Sequence, residues 1–325
     1  FTAATSALLA RLLGEGFERD EVAVVTGGPE VGKAFAALPF DHLMFTGSTR
    51  VGASILHAAA DNLTPVTLEL GGKSPAIVAE GYPLERAALK IMAGKLFNAG
   101  QTCIAPDYVL VPEARLEDFV AAAQDAVAKL YPTLAENPDY TAIVNERHYR
   151  RLAGLVEKAR DGGARVVEIN PAGESLGPGA RKFPPTLVIG AAEQSAVMSE
   201  EIFGPVLPIV PYGDLGQAID YVNARPRPLA LYHFDGDRGR TERVLRETTS
   251  GGVAVNDTLL QYALNDLPFG GVGPSGMGAY HGRDGFETFS HSKSVFAQSG
   301  LSGSAMLSPP FGRVAERMLK LLIRR

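Results

Sequence analysis

The sequence is short of cysteine, of long apolar runs and of net charge. Cys103 is the single cysteine in 325 residues. A lone thiol cannot close an intramolecular disulfide and makes a poor metal site, and such scarcity fits a reducing, cytoplasmic setting. The six histidines form no ligand pairs at metal-binding spacing, so no metal is expected, and none of them sits in a recognisable protease context. No stretch approaches the roughly 18 consecutive apolar residues needed to cross a bilayer, which excludes a membrane span. Charged residues make up 21% of the chain and the formal net charge is -5. A polybasic surface for nucleic acid is therefore not implied. There is no internal repeat, no low-complexity tract, and no signal peptide after Phe1. With 46% hydrophobic residues, the chain can bury one large core or two medium ones.

The periodicities point to an α/β protein. A helix over Thr5–Leu13 precedes an apolar strand, Val22–Val25, and a Gly27-Gly28 turn. A helix over Val31–Leu38, a strand at Leu43–Phe45, a helix to about Ala60 and a strand from Val66 to Glu69 follow. Short apolar strands separated by helices argue a parallel, doubly wound sheet covered on both faces. A second run starts at Pro75–Val78. Its helix carries Leu84, Ala87, Ala88, Ile91, Met92 and Leu96 on one face and stops at Asn98-Ala99-Gly100, as a glycine cap allows. After the strand Tyr108–Val111, a helix turns Leu116, Phe119, Val120, Ala123, Val127 and Leu130 inward. Residues 170–185 are a Pro/Gly-rich surface loop. Residues 268–278, with glycine at five of eleven positions, can be neither helix nor central strand and suit close approach to a ligand or another backbone. Residues 314–325 are basic and amphipathic and predict a docked terminal helix more than a membrane-surface one.

Several segments could carry chemistry, and each also has a plain structural explanation. Gly27–Lys33 matches phosphate-loop spacing, but Ala34 stands where a magnesium-binding Ser or Thr belongs, so nucleotide hydrolysis is disfavoured. At Phe45–Gly52, Ser48 can cap a helix whose free N–H groups suit an anion such as a dinucleotide pyrophosphate; many βα turns share these features. Glu69 enters a Gly-Gly loop at a strand end, where open α/β sheets bind ligands, yet an ion pair with Lys73 would explain it equally. Cys103, beside polar Gln101 and Thr102, is either an inert core thiol or a nucleophile. Ser199–Val206 places two acids next to an aromatic and a Gly-Pro turn, consistent with a solvated loop or a ribose ligand beside a ring.

Taken together, Phe45–Thr49, Leu68–Pro75, Gly100–Cys103, Glu200–Pro205 and Pro268–Gly271 resemble the aldehyde dehydrogenase superfamily in order and wording. Glu69 and Cys103 are 34 residues apart, the family's usual interval. Cys103–Tyr108, Leu229–Tyr232, Ser250–Val253, Ser275–Gly282 and Ser290–Lys293 look like the class 3 type. Tyr232–Asp235 and Gly282–Phe286 are similar to bacterial coniferyl aldehyde dehydrogenases. The resemblance implies part of a doubly wound dinucleotide-binding domain over 1–69, a catalytic domain over 70–271, and a return segment with an oligomerisation arm over 272–325. It implies oxidation of an aromatic or medium-chain aldehyde with NAD or NADP, Cys103 as nucleophile and Glu69 as general base. Gly28, Gly47, Ser48 and Gly52 would approach the cofactor, Glu201 would bind its nicotinamide ribose, and Phe203 would lie against the ring. A homodimer follows from the same likeness. In the family the dinucleotide domain begins well before the position of Phe1, and the oxyanion-hole asparagine lies upstream. The chain is thus expected to start inside a domain and to be inactive alone. The alternatives are a non-catalytic packing or oligomerisation module, and an acylating dehydrogenase that passes its thioester to coenzyme A. Glu69 argues against the latter, which needs no such base.

Overall fold

A computed structural model of the chain describes residues 2–176, 178–300 and 308–323. They fall into two compact units, one up to Phe289 and one from Ser290. The first unit contains two sheets. Strands β1 (Leu43–Gly47) and β2 (Val66–Leu70) run parallel. The remaining strands are β3 (Pro75–Val78), β4 (Tyr108–Pro112), β5 (Arg165–Glu168), β6 (Thr186–Ile189), β7 (Val206–Tyr212), β8 (Ala230–Phe234), β9 (Gly252–Val255) and β10 (Gly276–Met277). β10 joins the small sheet in the order β1-β2-β10, and the other seven form a sheet in the order β5-β6-β7-β4-β3-β8-β9. Only the β5–β6 pair of that larger sheet is antiparallel. The α/β fold expected from the periodicities is the one observed.

The larger sheet owes its position to apolar strands buried on both faces, as crossover helices require. β3, β4 and β8 contain no exposed residue. The helix Leu84–Leu96 lays Leu84, Ala87, Ala88, Ile91, Met92 and Leu96 into the same core as Phe119, Val120, Ala123 and Val127 of the helix Leu116–Leu130. Each large side chain buried there contributes roughly 1.5–3 kcal/mol. Loop 170–185 has one short helical turn, Pro178–Ala180, and Gly177 lies outside the described residues.

Three expectations need correction. Val22–Val25 is not a strand: no described strand pairs with it, and Val24 and Val25 remain 41% and 59% exposed. Its apolar pattern is strand-like, but a strand without a neighbour leaves its backbone groups unpaired. Ser48 does occupy the N-cap of the helix Thr49–Ala60, yet its side chain makes no capping bond. The terminal helix forms over Arg313–Ile323, with Arg324 and Arg325 outside the described residues. Only Ala315 of it is buried, while Leu321, Leu322 and Ile323 are exposed.

The glycine run at 268–278 meets other backbone, as its composition suggested. Gly276 of β10 lies opposite Glu69 of β2, and the Leu70 N–H donates to the Ser275 carbonyl at 3.1 Å. A Cβ at Gly276 would collide with the Leu68 carbonyl, and the φ of 139° disfavours any side chain there. Gly276→Ala should therefore cost about 2–3 kcal/mol of stability in urea unfolding. Gly14→Ala, in a helix with nothing near the added carbon, should be neutral or stabilising by up to about 1 kcal/mol.

Candidate active site

The turn before Cys103 is built from an unusual backbone. Asn98, Ala99 and Gly100 all adopt the left-handed conformation, with φ of 51°, 52° and 74°. Two non-glycine residues there carry a conformational cost, so the surroundings must hold them. Gln101 does much of this. Its Nε2 donates to the carbonyls of Asn98 and Ala142, and its Oε1 accepts the Val144 N–H. A Cβ at Gly100 would collide with the Gly204 carbonyl, so glycine allows this turn to pack on the loop 201–204. Further along, the Tyr232 hydroxyl donates to the Ile104 carbonyl at 2.5 Å. Cys103 emerges half-buried between these anchors, against the main core.

Glu69 faces it from β2. Its side chain is 1% exposed, and neither carboxylate oxygen has a well-formed hydrogen-bond partner. Burial pushes the Glu69 pKa up to about 8; the nearby Cys103 thiol favours the charged form, and the charge of Glu201 disfavours it. Cys103 is itself pushed up to about 12, first by burial and then by the charges of Glu69 and Glu201. At neutral pH the pair therefore rests as a thiol beside a largely protonated acid. That differs from an activated thiolate, because a dry pocket with two carboxylates penalises a further negative charge.

Lys73, the plain structural partner expected for Glu69, goes elsewhere. Its Nζ lies 2.5 Å from Asp107 Oδ2 and donates to the carbonyls of Val197 and Glu200. Asp107 also accepts the Ile202 N–H at 3.1 Å. Arg151 donates to the carbonyls of Glu201 and Ile202. These contacts fix the loop so that the Glu201 carboxylate sits where a Cβ of Gly71 would be. Burial and Asp107 raise the Glu201 pKa to about 7, against the lowering effects of the Gly72 N–H, Lys95 and Arg151. Asp107, Gln101 and Arg151 were not singled out by sequence reasoning. The placement of Asp107 four residues after the thiol was the only available signal for any of them.

A cavity of about 600 Å³ is lined by Thr49, Gly71, Gly72, Lys73, Glu201 and Arg227 among others. It joins the start of the helix Thr49–Ala60 to Glu201. Ser48, uncapped, leaves the first N–H groups of that helix without a side-chain acceptor, as an anion site requires. Gly52 is buried against Leu70, where a Cβ would strike the leucine side chain, so it brings the helix close to β2. Gly47 is filled by the ring of Phe45. Gly28 caps the exposed helix Pro29–Ala36, and Phe203 is left-handed with φ of 48° and 36% exposed; neither lines the cavity. The structure thus groups Cys103, Glu69 and Glu201, sets Ser48 and Gly52 at the neighbouring helix start, and keeps Gly28 and Phe203 apart from the cavity wall.

The profile of the aldehyde dehydrogenase family matches residues 1–295. The chain belongs to the aldehyde dehydrogenase family. The match is dense: a "probable coniferyl aldehyde dehydrogenase" of Caulobacter vibrioides is 55% identical over 322 residues, 98% of this chain and 66% of that protein. A substrate-bound aldehyde dehydrogenase of Staphylococcus aureus superposes with a TM-score of 0.90 at 42% identity, covering 98% of this chain and 68% of its own. An NAD-dependent aldehyde dehydrogenase of Sinorhizobium meliloti superposes at 0.84 with 30% identity, covering 96% of this chain and 61% of its own. The chain spans about two thirds of the length of the curated family members it matches. Among the described residues, no helix is long and apolar enough to cross a membrane.

The electrostatics of this aldehyde dehydrogenase pocket predict a pH-dependent stability. A carboxylate with a raised folded pKa binds protons more tightly in the native state, so stability falls as pH rises. For Glu69 the fall runs from about 4.5, its ordinary value, to about 8. Glu69→Gln should unfold at higher urea than the parent, with the gap widening through that window and then levelling. Iodoacetamide, acting on the single thiol, should label native Cys103 more slowly at pH 7 than the urea-unfolded chain. The native rate should keep climbing above pH 9, and Glu201→Gln should raise it.

Proposed function

We propose that the protein carrying this chain oxidises an aldehyde to the carboxylic acid with NAD or NADP, through a covalent intermediate on Cys103. The observation that carries the proposal is the pairing of a half-buried thiol with a fully buried, hydrogen-bond-poor carboxylate. Glu69 in its ionised form removes the Cys103 proton as sulfur bonds to the carbonyl carbon and passes it to the aldehyde oxygen, giving a thiohemiacetal and leaving the carboxylate ionised. NAD or NADP would, when bound, supply the hydride acceptor for that carbon; the hydroxyl proton goes to solvent and the acyl group remains on Cys103 as a thioester. Glu69, ionised, then takes a proton from water as the water oxygen attacks the thioester. The carbon–sulfur bond breaks, the acid leaves and the thiol is restored. A carboxylate near pKa 8 is suited to both proton transfers because it exchanges protons close to working pH.

The donors present fit the cofactor. The helix start over Gly47–Gly52 would meet the pyrophosphate, with Gly52 holding that helix close to β2, and Glu201 would accept a hydroxyl of the nicotinamide ribose. Gly28 would lie on the adenine side and Phe203 near the ring. The domain roles of 1–69, 70–271 and 272–325 belong to the same proposal. A ring near the thiol supports an aromatic aldehyde: the pKa of Tyr280 is raised by burial and then by the charges of Glu69 and Cys103, and Tyr280 meets Phe269, which stacks on His281. The coniferyl aldehyde dehydrogenase named above points the same way. Val295, Phe296 and Phe311 of the second unit are strongly exposed, which supports a homodimer, and a cytoplasmic setting suits a reduced Cys103.

Coniferyl aldehyde with NAD or NADP should give coniferyl-type acid and reduced cofactor, with no turnover in Cys103→Ser. Glu69→Gln should acquire an acyl group more slowly and then retain it, seen by intact-mass spectrometry, while steady turnover falls about 10²–10⁴-fold. Equal turnover in parent and Glu69→Gln would refute the role of that base. Mass transfer of the acyl group to added coenzyme A, with no acid formed, would favour the acylating alternative.

A further inference from the structure

The loop that follows β9 carries a buried amide with no part in the chemistry above. Gln261, in the short helix Leu260–Ala263, is 8% exposed. Its Oε1 is buried without a hydrogen-bond partner among the described residues, and its Nε2 donates to the Tyr232 hydroxyl at 3.3 Å. A carbonyl left unpaired in the interior is a net cost, so an apolar side chain of the same length would sit there with no loss of stability. The loop is nevertheless held to this course. Lys90 of the helix Leu84–Leu96 pairs with Asp257 at 2.7 Å, and the Thr258 hydroxyl donates to the Lys90 carbonyl at 3.0 Å. Thr258 also fills the space beside Gly94 of the same helix, where a Cβ would strike it. Asn256 and Leu259 both adopt the left-handed conformation, with φ of 60° and 64°, a backbone cost that these anchors sustain. The helix so strapped is the one that leads into Cys103.

The partner of the amide explains its place. Tyr232 is fully buried in β8 and donates its hydroxyl proton to the Ile104 carbonyl at 2.5 Å, on the residue next to the thiol. A phenol has one proton to give and lone pairs to receive. Were the amide reversed, its oxygen would compete with Ile104 for that proton. With Nε2 facing the hydroxyl, the proton is directed to Ile104. Successive hydrogen bonds of this kind also polarise and strengthen one another. We propose that Gln261 is a positioning residue for Cys103: by donating to Tyr232 it commits the phenol proton to the Ile104 carbonyl and fixes the peptide that follows the nucleophile. The proposal rests on the reading of Cys103 as nucleophile. Gln101 holds the turn before the thiol. The chain from Gln261 through Tyr232 to Ile104 holds the peptide after it, so the residue that bears Sγ is fixed from both sides.

The rate at which iodoacetamide labels the single thiol of the full chain at pH 9 tests this, together with urea unfolding of the same samples. Gln261→Met removes the donor and keeps the length. It should label about 2- to 10-fold faster than the parent, the factor that one hydrogen bond commands, while its urea midpoint stays or rises. Faster labelling at undiminished stability separates a loosened thiol from a weakened fold, in which both would change together. Tyr232→Phe should also label faster. Adding Gln261→Met to Tyr232→Phe should change the rate no further, because the amide acts through the hydroxyl. Gln261→Leu provides the same comparison if the methionine variant does not fold. A parent-like rate in Gln261→Met, a gain accompanied by a lower midpoint, or a gain that persists in the Tyr232→Phe background overturns the proposal. Turnover kept in Cys103→Ser removes the nucleophile reading, and the proposal with it; labelling needs no turnover, so the two failures are distinct.

Discussion

The active-site half of the molecule depends on where Asp107 places its two oxygens. One anchors Lys73, which in turn ties down the carbonyls of Val197 and Glu200; the other takes the Ile202 N–H. Loops that follow β2 and precede β7 are thus referred to a single carboxylate at the start of β4. This clamp, with Arg151 on the Glu201 carbonyl, fixes the loop that carries Glu201. A buried ion pair of this kind adds little stability compared with apolar packing, but losing one partner strands the other charge. Its value is in geometry. Gly71, which leaves room for the Glu201 carboxylate, makes sense only because Lys73 holds the following turn in place.

Desolvation then does the electrical work. Glu69, Glu201 and Cys103 are all raised chiefly by burial; the charge of Glu201 makes Glu69 and Cys103 harder to ionise, and that of Glu69 does the same to Cys103. Such a cluster carries few charges at rest, which suits the proposed uptake of a neutral aldehyde and of a cofactor bearing a cationic ring. Electrostatic interactions strengthen in a medium that excludes water, so a ring charge arriving next to the thiol would shift its ionisation far more than it could in solution. The resting thiol is therefore consistent with a nucleophile that becomes reactive on assembly. The left-handed turn at Asn98–Gly100 pays a local backbone cost to present it, and Gln101 maintains that turn from a distant segment.

Much of this was legible in the residues themselves. The 3.6-residue spacing of the helix Leu84–Leu96 and the all-apolar runs of β3 and β4 reflect burial, which periodicity reports directly. Residue type alone left a structural explanation open for Glu69 and Cys103; their 34-residue separation and the motifs around them singled them out. Val22–Val25 was misjudged because strand formation depends on a neighbour that local pattern cannot reveal. The capping role of Ser48 failed for a similar reason: position fixes the cap, but the hydroxyl's rotamer is decided by surroundings. Asp107 and Gln101 looked ordinary, since their importance lies in partners 95 and 41 residues away.

The pairing of β10 with β2 has a consequence for the order of assembly. Gly276 closes the backbone beside Glu69 from more than 200 positions further along the chain. Long-range pairings of this type form late, because a large loop must be closed before any contact rewards it. During synthesis the carboxylate would remain open to water until the last third of the chain had emerged. Its proton affinity, and with it any ability to act as a base near neutral pH, would thus switch on only once the polypeptide had threaded its glycine strip back across the first sheet.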